Sequence, residues 1–174
     1  MSVDCCAEPV AGPAVDARVL RHAWTALGPL VRGNWPVPYS LEPGRREETL
    51  AVLDEVLAGL YLVVDADGRL RWLGKAHRDG GVGARLRNHL GHQERARIFA
   101  RVFVMAADPF SPPRAIEAAE GRAADLLGLR GRMGTRRWPT VTEAQWLALV
   151  TSRAAGRPFP AGGGSAGERS AVPS

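Results

Sequence analysis

One short stretch of the chain, residues 59–89, holds several side chains that can bind a phosphate or exchange a proton. Arg85 and His89 are four positions apart in a predicted helix, so they share a face beside its apolar stripe. Arg87 points the other way, toward solvent. Tyr61 lies in the preceding apolar run, which is typical of a buried strand. A guanidinium fork matches the charge and shape of a phosphate, but an arginine beside an apolar stripe is by itself more often a surface residue whose stem covers apolar side chains.

A carboxylate candidate comes from a helix that we predict to start with Ser111 as its N cap and to end at about Leu127. Glu120 falls inside the apolar arc of this helix, and Glu117 falls at the edge of that arc. A carboxylate on an apolar face is costly unless it is paired or bound to a metal ion. Glu120 is therefore the candidate metal ligand, and an ion pair between Glu120 and an arginine is the alternative.

Two short motifs precede Arg85 in a fixed order. Gly59-Leu60-Tyr61 comes first, and Trp72-Leu73-Gly74 begins eleven positions after Tyr61. Together with the segment ARLRNHL that carries Arg85, these motifs resemble the catalytic module of the GIY-YIG nucleases, over residues 59 to about 128. The resemblance implies an α+β fold in which helices flank a small three-stranded antiparallel sheet. It also implies cleavage of phosphodiester bonds with one divalent metal ion, Mg²⁺ or Mn²⁺.

The resemblance also implies a role for each catalytic residue. Tyr61 would position or deprotonate a water molecule, Arg85 would hold the phosphate, and Glu120 would bind the metal ion. His89 would either orient the substrate or only pack against neighbouring side chains. The residues that we expect to bind substrate flank these groups and extend into a basic loop: Trp72, Gly74, Lys75, His77, Arg136 and Arg137.

Two departures separate the chain from the family pattern. Trp72 stands where the family usually has tyrosine, and an indole is a hydrogen-bond donor that cannot act as a base. No asparagine follows Glu120, although one often follows the catalytic glutamate of the family. These departures favour a catalytically lapsed module that binds nucleic acid or a protein. Tyr61, Arg85 and Glu120 favour the leading hypothesis, which is a Mg²⁺-dependent endonuclease or phosphodiesterase acting on DNA.

Hydrophobic periodicity and turn residues predict the elements around these groups. Asp67-Gly68 indicates a hairpin between strands at 60–64 and 70–73. The other predicted elements are a helix capped by Asp16, a proline-rich irregular arm at 31–45, helices at 46–58 and 82–90, a strand at 96–106, and a last helix opened by a Thr140–Glu143 capping box. The predicted organisation is a disordered N terminus (1–13), a helical N-terminal extension (14–58), a GIY-YIG-like nuclease core (59–128), a basic loop with a C-terminal helix (129–154) and a flexible tail (155–174).

The composition favours an acidic partner. The chain has 23 basic and 18 acidic residues, which give a formal net charge of +5 at neutral pH. This balance favours a nucleic acid, with DNA as the first choice and RNA still open. No apolar run approaches the roughly 18 residues of a membrane span, and the first residues lack the pattern of a signal peptide. Cys5 and Cys6 are adjacent and form neither a disulfide framework nor a zinc site. We therefore expect a cytoplasmic protein that does not contact a membrane.

Overall fold

An antiparallel sheet of four strands forms the centre of an α+β fold. In this computed structural model, residues 11–28, 30, 37–134 and 136–154 are described. The strands lie in the order β1-β4-β2-β3, with the bounds β1 (Tyr39–Ser40), β2 (Ala58–Val64), β3 (Leu70–His77) and β4 (Arg101–Ala106). The helices are α1 (Ala17–Ala26), α2 (Arg46–Asp54), α3 (Gly81–Leu90), α4 (Gln93–Ile98), α5 (Pro113–Leu126) and α6 (Glu143–Ala154). None of the described helices is long and apolar enough to cross a bilayer.

Strand β2 is buried on both faces because its side chains alternate between two apolar cores. Leu60 and Leu62 point into the first core, which α1 and α5 cover. Tyr61 and Val63 point into the second core, which α2 and α3 cover. Strand β3 pairs with β2 and is the last strand of the sheet, with Gly74 opposite Tyr61. Helices from both faces of the sheet therefore meet at the edge of β3.

The expected α+β class with an antiparallel sheet is confirmed, but the sheet has four strands instead of the expected three. The additional strand, β1, pairs with β4 through Tyr39 and Ser40, in the arm that the sequence indicates as irregular. Two residues are too few to produce an alternating pattern, so the sequence carries no strand signal there. The strand expected at 96–106 starts only at Arg101, because the charged segment Gln93–Ile98 forms α4.

The expected cap of α1 is confirmed, whereas the expected end of α2 is wrong. Oδ1 of Asp16 accepts a hydrogen bond from the backbone N–H of Val19 at 2.8 Å, which satisfies one of the unpaired donors of the first turn. The helix expected to reach residue 58 ends at Asp54. The physical reason is that Ala58 already pairs within the sheet.

Two other expected caps are wrong. Ser111 is not the N cap of α5, because Pro112 occupies that position and Ser111 is buried one residue earlier. The expected Thr140–Glu143 capping box is shifted along the chain. Thr142 and Gln145 form it instead, since the Gln145 N–H donates to Oγ1 of Thr142 at 3.2 Å and the Thr142 N–H donates to Oε1 of Gln145 at 2.9 Å.

The expected disorder of the N terminus does not extend to its last residues. Residues 1–10 and the expected flexible tail at 155–174 lie outside the described part of the chain. The Gly12 N–H donates to the Leu70 carbonyl at 2.7 Å, and the Leu70 N–H donates to the Pro13 carbonyl at 2.9 Å. The reason is that Leu70 begins the edge strand β3, whose outer backbone groups need partners.

The basic loop after α5 is anchored to that helix. Arg130 pairs with Asp125 and donates to the carbonyl oxygens of Trp138 at 2.9 Å and Pro139 at 2.7 Å. Trp138 is buried in the first core. The Pro139 carbonyl lies against Gly121 of α5, where no side chain intervenes. Arg130 therefore holds the loop in place.

We expect Gly121→Ala to destabilise the protein, although alanine is the better helix former. The added Cβ would collide with the Pro139 carbonyl oxygen, which Arg130 also holds. Urea denaturation should show a loss of about 1–3 kcal/mol in the free energy of unfolding, typical of overpacking. Gly44→Ala is the matched control, because a Cβ at Gly44 would have no neighbouring atom within 4 Å. Equal stability of the two variants would mean that the loop does not pack on α5.

Candidate active site

A cleft of about 500 Å³ opens at the edge of β3, between α3 on one face of the sheet and α5 on the other. All the predicted site residues except Arg137 line it: Tyr61, Trp72, Gly74, Lys75, His77, Arg85, His89, Glu120 and Arg136. The lining also includes Asn88, Pro113 and Glu117. The sheet edge thus brings together side chains from β2, β3, α3, α5 and the basic loop.

A row of three side chains fixes the protons around Tyr61. Nη1 of Arg95 lies 3.0 Å from Nδ1 of His89, and Nε2 of His89 lies 3.0 Å from the Tyr61 hydroxyl oxygen. A guanidinium can only donate, so Nδ1 accepts and the proton of the neutral imidazole is on Nε2. His89 therefore donates to the Tyr61 oxygen, and the Tyr61 hydroxyl proton is left for another acceptor in the cleft.

Burial sets the protonation state of both rings. It raises the pKa of Tyr61 to about 12, although the nearby Trp72 N–H and the charge of Arg136 act in the opposite direction. It lowers the pKa of His89 to about 4, and the charges of Arg95 and Arg136 act in the same direction. At neutral pH both rings are therefore neutral. Of the two roles expected for Tyr61, positioning of a water molecule agrees with this state better than proton abstraction does.

Trp72 packs against two cations and a histidine. Its ring lies 3.9 Å from the guanidinium carbon of Arg136, 4.7 Å from that of Arg95 and 4.4 Å from the ring of His89. These distances are in the range of cation–π attraction. No described residue accepts a hydrogen bond from its buried indole N–H, which lies near the Tyr61 hydroxyl without bonding to it. Trp72 thus keeps two arginines beside the cleft.

Gly74 lines the cleft because two aromatic side chains pass over it. A Cβ at this position would lie 2.5 Å from the Tyr61 hydroxyl oxygen and 2.9 Å from the indole nitrogen of Trp72. Both distances are shorter than real Cβ contacts. The glycine is therefore required for the packing of Tyr61 and Trp72, which explains why this position accepts no side chain.

Glu120 is a buried carboxylate with two loose cationic partners. Its side chain is 8% exposed, and its oxygens lie 3.6 Å from Nζ of Lys75 and 3.5 Å from Nη2 of Arg136. Lys75 lies closer to Glu117, at 3.0 Å. Burial raises the pKa of Glu120, and the charges of Lys75 and Arg136 only partly offset this effect. The expected alternative, an ion pair between Glu120 and an arginine, is thus present. The contacts with Lys75 and Arg136 are both long, however, and do not fully compensate the burial of the Glu120 charge.

Arg85 lines the cleft from α3 and has no hydrogen bond or ion pair with the described residues. Arg87 is exposed, as predicted, and bonds to both carboxylate oxygens of Asp54, at 2.6 and 2.8 Å. Arg85 lies at the edge of the sheet, in the cleft, but it is exposed as well. Nε2 of His77 lies 2.7 Å from the Ser111 carbonyl oxygen and therefore donates to it. This bond ties the end of β3 to the loop before α5.

Arg137 is exposed and does not line the cleft, although the sequence places it beside Arg136. Two residues were missed by sequence reasoning. Asn88 lies on the polar face of α3, where nothing in the sequence distinguishes it. Arg95 lies in α4, and the one local signal for that helix is the Glu94–Arg97 pair at helical spacing.

The comparison with known proteins gives no family assignment. No protein-family model matches the chain, and no curated protein or solved structure matches it. Within the described residues, no three His, Cys, Asp or Glu side chains gather into a metal-binding cluster.

We expect His89 to make the folded protein less stable as the pH falls from about 6.5 to about 4. In the unfolded chain His89 protonates near its ordinary pKa, whereas in the folded protein it stays neutral until about pH 4. The unfolded state therefore binds the proton first as the pH falls. Urea denaturation at about pH 7 and about pH 5 should show a larger loss of stability for the wild type than for His89→Gln. Equal losses would mean that His89 is not held as a neutral ring.

Proposed function

We propose that this protein is a GIY-YIG-like endonuclease or related phosphodiesterase that cleaves DNA with Mg²⁺ or Mn²⁺ in the cleft at β3. One observation carries the proposal. Short motifs and helical spacing predict Tyr61, Arg85, His89 and Glu120 as site residues, and all four line the same cleft. They come from β2, α3 and α5, so local sequence proximity does not explain their meeting.

The charges of the cleft suit a phosphodiester group. Arg85 presents an exposed guanidinium that has no counter-ion among the described residues. Arg136 adds a second, largely buried guanidinium. A guanidinium binds two phosphate oxygens at once, and such a charge is most effective where negative charge develops in the transition state. In the proposal, Arg85 binds the attacked phosphate. Arg136, which lies 3.5 Å from Glu120, adds positive charge deeper in the cleft.

Tyr61 orients the attacking water in this proposal. Its oxygen accepts a hydrogen bond from His89, so its own proton is available to a water or a phosphate oxygen in the cleft. The raised pKa keeps that proton on Tyr61. Orientation of a water close to the phosphate is itself a large catalytic contribution, and it requires no proton transfer to the tyrosine.

The carboxylates of α5 fit a hard divalent cation. Glu117 and Glu120 are one helical turn apart, and both line the cleft. The raised pKa of the buried Glu120 means that a closer positive charge would stabilise its ionised form. Mg²⁺ is commonly held by one or two carboxylates together with waters and substrate phosphates. When bound, such a cation supplies Lewis-acid stabilisation of the leaving oxygen.

A second candidate function is the binding of nucleic acid or a protein without cleavage, and the position of Lys75 favours it. Nζ of Lys75 lies 3.0 Å from Glu117 and 3.6 Å from Glu120, so an ammonium group already offsets the two carboxylates. If Lys75 stays there, it repels a divalent cation. Nicking of supercoiled DNA with and without Mg²⁺ separates the two functions, because only the enzyme produces Mg²⁺-dependent nicks.

We expect Glu120→Gln to reduce cleavage by orders of magnitude, because it keeps the shape of the side chain but removes the charge that holds the cation. Glu117→Gln is the matched control one turn earlier. Its side chain is 49% exposed, and its loss should have a much smaller effect. Binding of DNA in EDTA should survive in both variants.

Melting curves on the Glu120→Gln protein distinguish a metal ligand from a structural ion pair. If Glu120 only neutralised Arg136 and Lys75, its substitution would leave the largely buried Arg136 without its carboxylate and lower the melting temperature. A folded Glu120→Gln protein that nicks DNA at the wild-type rate would exclude the metal role.

We expect Arg85→Ala to lower kcat for cleavage by about 10²- to 10³-fold, the usual cost of removing a group that stabilises transition-state charge. Stability should be unchanged, because no described residue pairs with Arg85. Arg97→Ala is the matched control, since Arg97 is exposed and only loosely paired with Glu94 at 3.9 Å. Full activity of the Arg85→Ala protein would remove Arg85 from the proposed site.

A further inference from the structure

Two loops meet at the rim of the cleft. One loop follows His77, the last residue of β3, and the other precedes Pro113, the first residue of α5. Both of these residues line the cleft. The His77 ring donates to the Ser111 carbonyl at 2.7 Å, and Nε of Arg78 donates to the Pro109 carbonyl at 3.2 Å. These two bonds hold the loops together, so the side chain between Pro109 and Ser111 lies at the rim of the cleft.

That side chain is Phe110, and the protein leaves it almost uncovered. It is 83% exposed, more than any other large apolar side chain of the described residues. The ring belongs to neither core, and its position beside the cleft leaves it free to contact a ligand there. The turn that presents it is fixed, because the Phe110 N–H donates to Oδ1 of Asp108 at 3.0 Å. The guanidinium carbon of Arg78 lies 5.9 Å from the centre of the ring.

The backbone that presents Arg78 is strained. Arg78 and Asp79 have φ angles of 56° and 44°, in the left-handed region that favours glycine. The next two residues are Gly80 and Gly81, which adopt the same region without a steric cost. The Arg78 N–H is held by the Leu57 carbonyl. An arginine at this position costs stability, which points to a role for its side chain.

We propose that Phe110 and Arg78 form a stacking platform for an unpaired nucleobase. The substrate would then be a nucleic acid with a single-stranded nucleotide beside the attacked phosphate, an assignment that rests on the proposed function. A base stacks on an aromatic ring whatever its identity, and the neighbouring guanidinium binds the adjoining phosphate. In a duplex both faces of an internal base are covered by its neighbours, so only an unpaired base reaches the stacking platform.

Binding without cleavage tests the stacking platform. The full chain is titrated in EDTA with three fluorescent probes of about twelve nucleotides: a single-stranded oligothymidine, its duplex, and an oligonucleotide of abasic sites. Phe110→Ala should weaken binding of the single strand by about 5- to 100-fold. Binding of the abasic probe should not change, because that probe retains the phosphates but offers no base.

Three further variants sharpen the test. Phe110→Trp should retain or strengthen binding of the single strand, since indole stacks at least as well as phenyl. Leu147→Ala is the matched control, because Leu147 is 52% exposed and does not line the cleft. Arg78→Gly removes the guanidinium and its bond to the Pro109 carbonyl while it relieves the strained backbone, and it should weaken binding of the single strand. An Arg78→Gly protein with unchanged binding would contradict the assignment of Arg78.

The stacking platform and the proposed cleavage fail in different ways. An unchanged affinity of Phe110→Ala for the single strand, or an equal loss on the abasic probe, overturns the stacking platform. In either case Mg²⁺-dependent nicking by the wild type would still support the nuclease. Base-dependent binding by a wild type that never cleaves DNA in Mg²⁺ would support the stacking platform and overturn the nuclease.

Discussion

The close approach of Tyr61 to the backbone at position 74 is the constraint on which the cleft depends. Pairing of β2 with β3 sets Tyr61 opposite Gly74, and the missing Cβ lets the phenol and the indole of Trp72 share one space. A side chain there would push Tyr61 away from His89 and Trp72 away from Arg136. The glycine of the second motif therefore determines a hydrogen-bond network and a cation–π contact, although it makes no polar side-chain contact of its own.

The arrangement of charge across the edge of β3 has a direct consequence for the proposed chemistry. Arg95 and Arg136 pack on Trp72, while the carboxylates of Glu117 and Glu120 lie on α5. A phosphate bound between the arginines and the carboxylates would be attracted by the arginines. Because the carboxylates would repel it, a cation would be needed between them and the phosphate. Lys75 supplies that cation in the absence of a metal ion. In the proposed function, its long, flexible stem would let Lys75 follow a phosphate if a divalent cation replaced it, and this exchange would link metal binding to substrate binding.

The sequence predicts the position of a site residue where the periodicity of its own helix or strand determines which way its side chain points. It does not predict contacts between residues of different elements. Helical rotation alone separates Glu120 from Glu117, and the structure buries the first and half-exposes the second. The apolar runs and the Asp67-Gly68 turn also predict the hairpin, and helical periodicity predicts α3; these elements carry Tyr61 and most of the cleft lining. No local rule pairs Arg95 with His89, since the two lie on different helices. Strand β1 fails for the same reason, because β4, more than fifty residues later, provides its only strand signal.

If the cleft binds a nucleic acid as proposed, the direction of β3 limits how that ligand can lie. From Gly74 to its last residue, His77, strand β3 rises about 10 Å, at about 3.3 Å per residue. His77 bonds to the Ser111 carbonyl, next to Phe110. One or two nucleotides of an extended strand span that distance. In the proposed function, a phosphate held near Tyr61 and Arg85 would therefore leave a neighbouring base, and not a remote one, within reach of Phe110. A stacked duplex cannot present that base without being opened, so the geometry of the edge strand and the exposure of Phe110 together favour a substrate that is already unpaired at the attacked position.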